Sequence, residues 1–401
     1  MNVLLLTNLF PVVHMPISGI FITKRLQTYE KLGIRCKAVS LPSGDHMALA
    51  LLRLILLKKR FQPLQSFLGI RYTMLHCCKR DLISVIKSKL SANGYMDISQ
   101  RFARCIQQTL DVSKYDLIHG HGMFGIPAGL VARFIAEQQR RPFVVTVHGC
   151  DVNQLMYHRK QIYVETFEKA SAVIFVSKAL LERAKSYGYS AKNAYVVPNG
   201  FDPNVFKPMD KATVRKELGI YLENTKYVGF VGSLDEVKRA DKLVDIFEKV
   251  KRRVQGVRFI VVGEGHLKHF MKKLARKMHL DILFTGTVTQ EMVAKYMNAM
   301  DVMILPSRRE GFGAVVIEAQ ACGTCVIGSS NGGIPEAIGF DEYVVEEGEE
   351  FEDRVAHKIV QVLEKGHDKE KLIQRAKDFT WEKIVQMEKK IYERVVGSVS
   401  C

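Results

Sequence analysis

Short apolar runs of four to six residues alternate along this chain with longer segments of helical period, and the alternation completes itself twice. Val3 to Leu6, Arg35 to Val39, Asp116 to His119, Phe143 to Val147, Ala172 to Val176 and Ala194 to Val197 read as one set of strands. Tyr227 to Val231, Val257 to Val262, Ile282 to Thr285, Val302 to Leu305, Cys325 to Gly328 and Tyr343 to Val345 read as a second. Strands apolar at consecutive positions are buried on both faces, as in a parallel sheet covered by helices, so the pattern predicts two doubly wound α/β domains. Between the sets, Pro198, Pro203 and Pro208 fall within eleven residues and give a stiff, non-helical crossover. The expected domains are 1–206 and 207–379, with a charged helix over 380–396 packing back on the first. At 401 residues the chain is long enough for each to bury its own core.

Charge separates the halves. The chain carries a formal net charge of +17, and residues 1–206 hold 27 Lys and Arg against 12 Asp and Glu, while the remainder holds 32 against 30. A basic first half implies an anionic partner: a membrane surface, a lipid diphosphate or nucleic acid. Residues 47–110 concentrate the effect in a helix-like stretch where Leu49, Leu52, Leu54, Leu56 and Leu57 lie among Arg53, Lys58, Lys59 and Arg60. Such a segment either rests on anionic lipid or forms a helical hairpin on the sheet. Its few aromatics argue against single-stranded nucleic acid. The longest apolar run, Ala48 to Leu57, is interrupted by Arg53 and is far short of the ~20 residues of a spanning helix. With no basic leader before Val3 to Leu6, the expected location is cytoplasmic or peripheral on a membrane. The eight cysteines lack disulfide or zinc spacing, and Cys322-Gly323-Thr324-Cys325 runs from a helix end into a strand, so its redox-like spacing is read as coincidence.

Glycine loops at strand ends mark the chemistry. Glu310 to Glu318, Glu-Gly-Phe-Gly-Ala-Val-Val-Ile-Glu, follows a strand and the turn Pro306 to Arg309. Gly311 and Gly313 permit close backbone approach around Phe312, and helix entry at Ala314 and Val315 offers free N–H groups to an anion. Glu310 at the helix mouth suits sugar hydroxyls, and Glu318 suits a ribose. After the first strand of the second set, Gly232-Ser233 leads to Lys238, placed to neutralise a diphosphate. Gly263-Glu264-Gly265 is another tight loop, and Thr287-Val288 could line a base pocket. In the first half, Gly19 closes a loop between strand and helix without the GxGxxG of a dinucleotide site. His119-Gly120-His121-Gly122 and His148-Gly149-Cys150-Asp151 each follow a strand end. No carboxylate falls at a metal-ligand offset, so His148 reads as a phosphate donor or as an acid–base partner of Asp151 rather than a metal ligand. The acidic run Glu346 to Glu350 reads as a solvated loop.

Two doubly wound halves, a proline hinge and these loops in this order resemble the retaining glycosyltransferases of family 4, with the GT-B fold of two Rossmann-like domains facing across a cleft. The elements carrying the resemblance are the Gly19 loop, Asp116 to His121, Thr146 to Asp151, Val197 to Gly200, Lys238, Val262 to Gly265, Pro306-Ser307 with Glu310 to Glu318, and Gly332 to Glu336. The resemblance implies a nucleoside-diphosphate sugar as donor substrate, no cofactor and no bound metal. It implies that Glu310 and the Phe312-Gly313 amides hold the sugar, Glu318 the ribose and Lys238 the diphosphate, with His148 supporting the hexose. It also implies a lipid-linked or polysaccharide acceptor at the basic first domain, an anionic membrane surface nearby, and no nucleic-acid role. The N-terminal pattern Asn8 to Pro11 and Gly19 to Phe21 looks most like bacterial enzymes of cell-surface polysaccharide synthesis. The alternatives are a sugar-nucleotide epimerase or hydrolase, a sugar-binding protein without activity, and a basic nucleic-acid-binding protein. Two departures bear on the donor site, Ser233 where arginine is common and Arg239 where glycine is common; Cys325 also stands where proline is usual, which strengthens the case against a redox pair.

Overall fold

Every strand of both predicted sets forms, each within a residue or two of its expected limits. The computed structural model describes residues 1–10, 19–41, 66–67, 69–74 and 92–398. The chain divides into two units, Met1–Pro198 with Trp381–Cys401, and Asn199–Thr380. The first contains β1 (Asn2–Thr7), β2 (Arg35–Ser40), β3 (Ser66–Phe67), β4 (Ile70–Met74), β5 (Leu117–His121), β6 (Phe143–Val147), β7 (Ala172–Phe175) and β8 (Ala194–Val196). Their order across the sheet is β3-β4-β2-β1-β5-β6-β7-β8, parallel throughout except for β3 against β4.

The sheet therefore has eight strands where the apolar runs predict six. β3 and β4 lie inside the stretch expected to be helical, and the helix Ala92–Thr109 closes it. The reason is local: Ile70 is buried beside exposed Arg71, a strand-like alternation that the surrounding basic residues hide. The amphipathic run Ala48 to Leu57 lies outside the described residues. Among the described residues no helix is long and apolar enough to cross a membrane.

The second unit contains β9 (Lys226–Val231), β10 (Val257–Val262), β11 (Ile282–Gly286), β12 (Val302–Leu305), β13 (Cys325–Ser329) and β14 (Val344–Val345), in the order β11-β10-β9-β12-β13-β14 and wholly parallel. The strand order reverses between β9 and β12, and in the first unit between β1 and β5, so each sheet has a crevice at the carboxyl ends of those strands. Leu243, Phe247 and Val250 of the helix Ala240–Lys251 pack with Phe259, Val302 and Ile359 in the core of the second unit.

The helix Trp381–Gly397 belongs to the first unit, where Trp381, Ile384, Ile391 and Tyr392 join Val3, Leu5, Leu26 and Tyr29 in one core. Within that apolar contact sits an ion pair, Arg25 Nε to Glu388 Oε1 at 3.0 Å, with neither side chain exposed. Glu388 Oε2 accepts from the Tyr29 hydroxyl at 2.8 Å, and the Tyr29 and Tyr392 hydroxyls lie 2.7 Å apart. Burial pushes the Glu388 carboxyl up, and Arg25 and Tyr29 oppose that shift. Deleting one member of a buried pair strands the other charge, so Glu388→Ala should lower the unfolding free energy of this unit by about 3–5 kcal/mol. The double variant Arg25→Met/Glu388→Met should lose clearly less in urea denaturation. A single-variant loss under about 1 kcal/mol would contradict this account.

Candidate functional site

The crevice of the second sheet gathers the loops that carry the motif residues. Gly232, Ser233 and Lys238 follow β9, Gly263 follows β10, Val288 follows β11, and Glu310 to Gly313 follow β12. Lys238 Nζ donates to Glu310 Oε2, joining two residues 72 apart in sequence across the point where strand order reverses. Both side chains keep partial exposure, so the pair is accessible to a ligand.

A second layer fixes the two loops. The Asp235 carboxylate accepts from the Lys238 backbone N–H at 2.9 Å and from the Ser233 hydroxyl at 2.7 Å. Arg308 donates to both Asp241 oxygens at 2.6 and 2.8 Å and to the Glu236 carbonyl at 2.6 Å. That bidentate pair holds Asp241 below its usual range. The loop after β13 closes against Glu310 from the other side. Gly332 has a φ of +57°, and a Cβ placed there would lie 2.1 Å from the Glu310 carbonyl oxygen.

Gly313, at φ +91°, is the left-handed cap that turns the loop into the helix Ala314–Ala321. The first amides of that helix, at Ala314 and Val315, have no carbonyl behind them within the helix. Gly311 N–H lies 3.3 Å from Glu310 Oε1. The Phe312 ring is buried and stacks on Phe379 with centroids 5.8 Å apart, so its backbone rather than its ring is available to a ligand. Glu318 is half-buried on the same helix, and desolvation pushes its carboxyl up to about 7.

Besides Arg308, a second basic group near the β9 loop is already engaged. Arg239, one of the two donor-site departures from the family pattern, is buried, donates to both Glu347 oxygens at 2.8 and 2.7 Å, and lies 3.9 Å over the Phe351 ring. The acidic run is accordingly not wholly solvated, since Glu347 holds this guanidinium and also accepts from Asn331 at 2.6 Å. Arg309, exposed beside Glu310, has no acidic partner among the described residues. Cys322 and Cys325 are buried free cysteines, and burial pushes both thiols up to about 12, the reverse of a reactive thiolate.

The first unit places its histidines at the carboxyl edge of its own sheet. His121 Nδ1 lies 3.2 Å from His148 Nε2, the two rings are stacked, and Phe21 lies 5.0 Å from His148. His119 bridges the Tyr392 hydroxyl at 2.5 Å and Thr146 Oγ1 at 2.8 Å. Burial depresses all three imidazoles well below the ordinary histidine value, with the Arg25 charge adding to it, so they are neutral at pH 7. Gly19 is the left-handed cap of the helix Ile20–Lys31.

Asp151 is not the acid–base partner of the His148 ring. Its carboxylate accepts from the backbone N–H groups of His148, Gly149 and Val152 at 3.0, 2.8 and 3.1 Å. It shapes the loop, and the imidazole's partner is His121. The link from His119 to Tyr392, 273 residues away, gave no sequence signal. Among the described residues no group of three His, Cys, Asp or Glu side chains could hold a metal ion.

Comparison with known proteins identifies the relatives of this arrangement. Residues 210–379 match the family model for glycosyl transferases group 1, and residues 71–205 match that of glycosyltransferase family 4. The chain is 30% identical over 295 residues to N-acetyl-alpha-D-glucosaminyl L-malate synthase of Bacillus anthracis, covering 70% of this chain and 75% of that protein. It is 29% identical over 357 residues to the putative teichuronic acid biosynthesis glycosyltransferase TuaC of Bacillus subtilis, covering 86% and 85%. Among solved structures, Anabaena HepE in complex with UDP superposes with a TM-score of 0.73 at 19% identity, over 97% of this chain and 99% of that one.

The close approach at Gly332 yields a stability test. Gly332→Ala must displace the backbone that carries Glu310, and should cost about 2–4 kcal/mol. Gly219→Ala, at a φ of +68° with nothing within 4 Å, should cost about 1–2 kcal/mol. Equal losses in thermal or urea denaturation would remove the claimed contact.

Proposed function

We propose that this chain, which belongs to glycosyltransferase family 4 and is a glycosyltransferase of the GT-B fold, moves a hexosyl group from a nucleoside-diphosphate sugar, with retention of configuration, to a lipid-linked or polysaccharide acceptor of a cell-surface glycan. The observation that carries the proposal is the Lys238–Glu310 pair at the reversal of the second sheet. In the free protein each charge neutralises the other. When the donor arrives, the ammonium turns to the diphosphate and the carboxylate to sugar hydroxyls, so both groups are preorganised at little reorganisation cost.

The Phe312 and Gly313 amides and the helix entry at Ala314 and Val315 stabilise charge as the diphosphate departs. The glycine loops at Gly232 and Gly263 admit the nucleotide backbone, Val288 lines the base, and Glu318 accepts from the ribose. His148 serves the hexosyl group as a neutral hydrogen-bonding imidazole, and Gly19 shapes the loop beside it. The leaving phosphate assists the acceptor hydroxyl on the same face. With Arg239 engaged by Glu347 and Ser233 by Asp235, the exposed Arg309 is the second cation assigned to the diphosphate. HepE, crystallised with UDP, supports a uridine donor, and TuaC supports a cell-surface product. The surplus positive charge of residues 1–206 suits a polyprenyl-diphosphate acceptor at an anionic membrane.

Thermal stabilisation by uridine, guanosine and adenosine diphosphate sugars identifies the donor, and no stabilisation by any of them would sink the reading. Glu310→Ala should lose transfer by at least 1,000-fold with its melting temperature intact, and full activity in a folded variant would refute its role.

The Glu318 carboxyl gives a pH signature. It is raised to about 7 in the free protein. Accepting ribose hydroxyls favours the carboxylate and lowers that value, so donor binding releases a proton below pH 7. Affinity for a nucleoside-diphosphate sugar should rise by up to about tenfold per pH unit from 5 towards 7 and level off above it. Glu318→Gln should flatten the profile measured by calorimetry, and an unchanged slope would exclude Glu318 from the ribose.

A further inference from the structure

The amino edge of the first sheet, opposite its histidines, holds a cavity of about 490 Å³ lined by Asn2, Arg35, Cys36, Lys37, Lys114 and Tyr115. Arg35 and Lys37 stand two apart on β2, so strand alternation puts both on one face, while the Cys36 thiol packs with the core. Both are exposed, and neither has an acidic partner among the described residues. On the neighbouring strand Ala38 pairs with Tyr72, which sets exposed Arg71 beside Lys37.

Of the carboxylates around the recess, Asp116 and Asp111 are already bound, while Glu30 is exposed and within electrostatic reach of the Cys36 thiol. Asp116 accepts from the Asn2 backbone N–H at 2.8 Å, and Asp111 accepts from Ser113 and pairs with Lys114 at 3.3 Å. Arg35 and Lys37, without ion-pair partners among the described residues, therefore share one recess with Lys114, which pairs with Asp111, and its volume fits a small ligand. Arg35, Lys37, Lys114 and neighbouring Arg71 outnumber the carboxylates Glu30, Asp111 and Asp116 around them, and an anion relieves the remaining repulsion.

We propose that this cavity is a binding site for a phosphate-bearing anion, either a lipid headgroup or a soluble phosphate. It lies at the strand ends remote from the carboxyl edge, so it is separate from the transfer site and independent of the donor reading.

The test uses the full chain at low salt. Flotation with phosphatidylcholine vesicles containing roughly one-third phosphatidylglycerol forms one arm, and calorimetry with inorganic pyrophosphate the other. Wild type should bind at least one probe, and Arg35→Ala/Lys37→Ala should weaken that binding by about tenfold or more. Its melting temperature should stay within about two degrees of wild type. Binding of vesicles but not pyrophosphate assigns the headgroup, and pyrophosphate binding that Arg35→Ala/Lys37→Ala loses assigns the soluble anion to this cavity rather than to the diphosphate site at Lys238. The control variant Lys273→Ala/Lys277→Ala, which removes two exposed lysines from the second unit, should bind as wild type does. Wild type binding neither probe, the cavity variant binding unchanged, or the control losing as much would overturn the site.

Discussion

A parallel sheet wound outward in both directions from its middle leaves its two central strands without a crossover between them, and the gap at their carboxyl ends is the one place where loops from both halves can meet around a ligand. In the second unit that gap lies between β9 and β12, and Lys238 and Glu310 meet across it. Much of the surrounding detail serves to hold those two loops at that separation. Arg308 ties the β12 loop to Asp241 and to the β9 loop carbonyl at Glu236, Asp235 ties the β9 loop together through the Lys238 amide and the Ser233 hydroxyl, and Gly332 lets a third loop close against Glu310. Removing the topology would leave two surface charges with no reason to pair. Within it, the pair is placed by backbone on both sides.

The same constraint explains what the sequence made legible. Twelve strands could be read because burial on both faces requires consecutive apolar residues, and Val257 to Val262 or Val302 to Leu305 permit little else. β3 and β4 escaped because an edge pair is buried on fewer sides and tolerates Arg71 among its residues. Site loops were legible from glycine at strand ends. What those loops touch was not, because contacts such as Lys238 to Glu310 and Arg239 to Glu347 join positions 72 and 108 apart, and nothing local in either segment records its partner. Asp151 illustrates the difference: three residues from His148, it suggested chemistry with the ring, whereas a carboxylate that close in a turn reaches the backbone amides first.

Charge in the first unit follows burial. Its histidines, enclosed at the carboxyl edge and near the buried Arg25, are driven neutral, while Arg35, Lys37 and Arg71 stand exposed at or near the amino edge. An anion approaching the unit thus meets no imidazolium at the histidine edge and finds free cations on the other side. A neutral edge favours hydroxyl groups, which hydrogen-bond imidazole without requiring its protonation, and a cationic edge favours phosphate. Two ends of one sheet can therefore recognise two chemically different parts of the surroundings without competing for the same ligand.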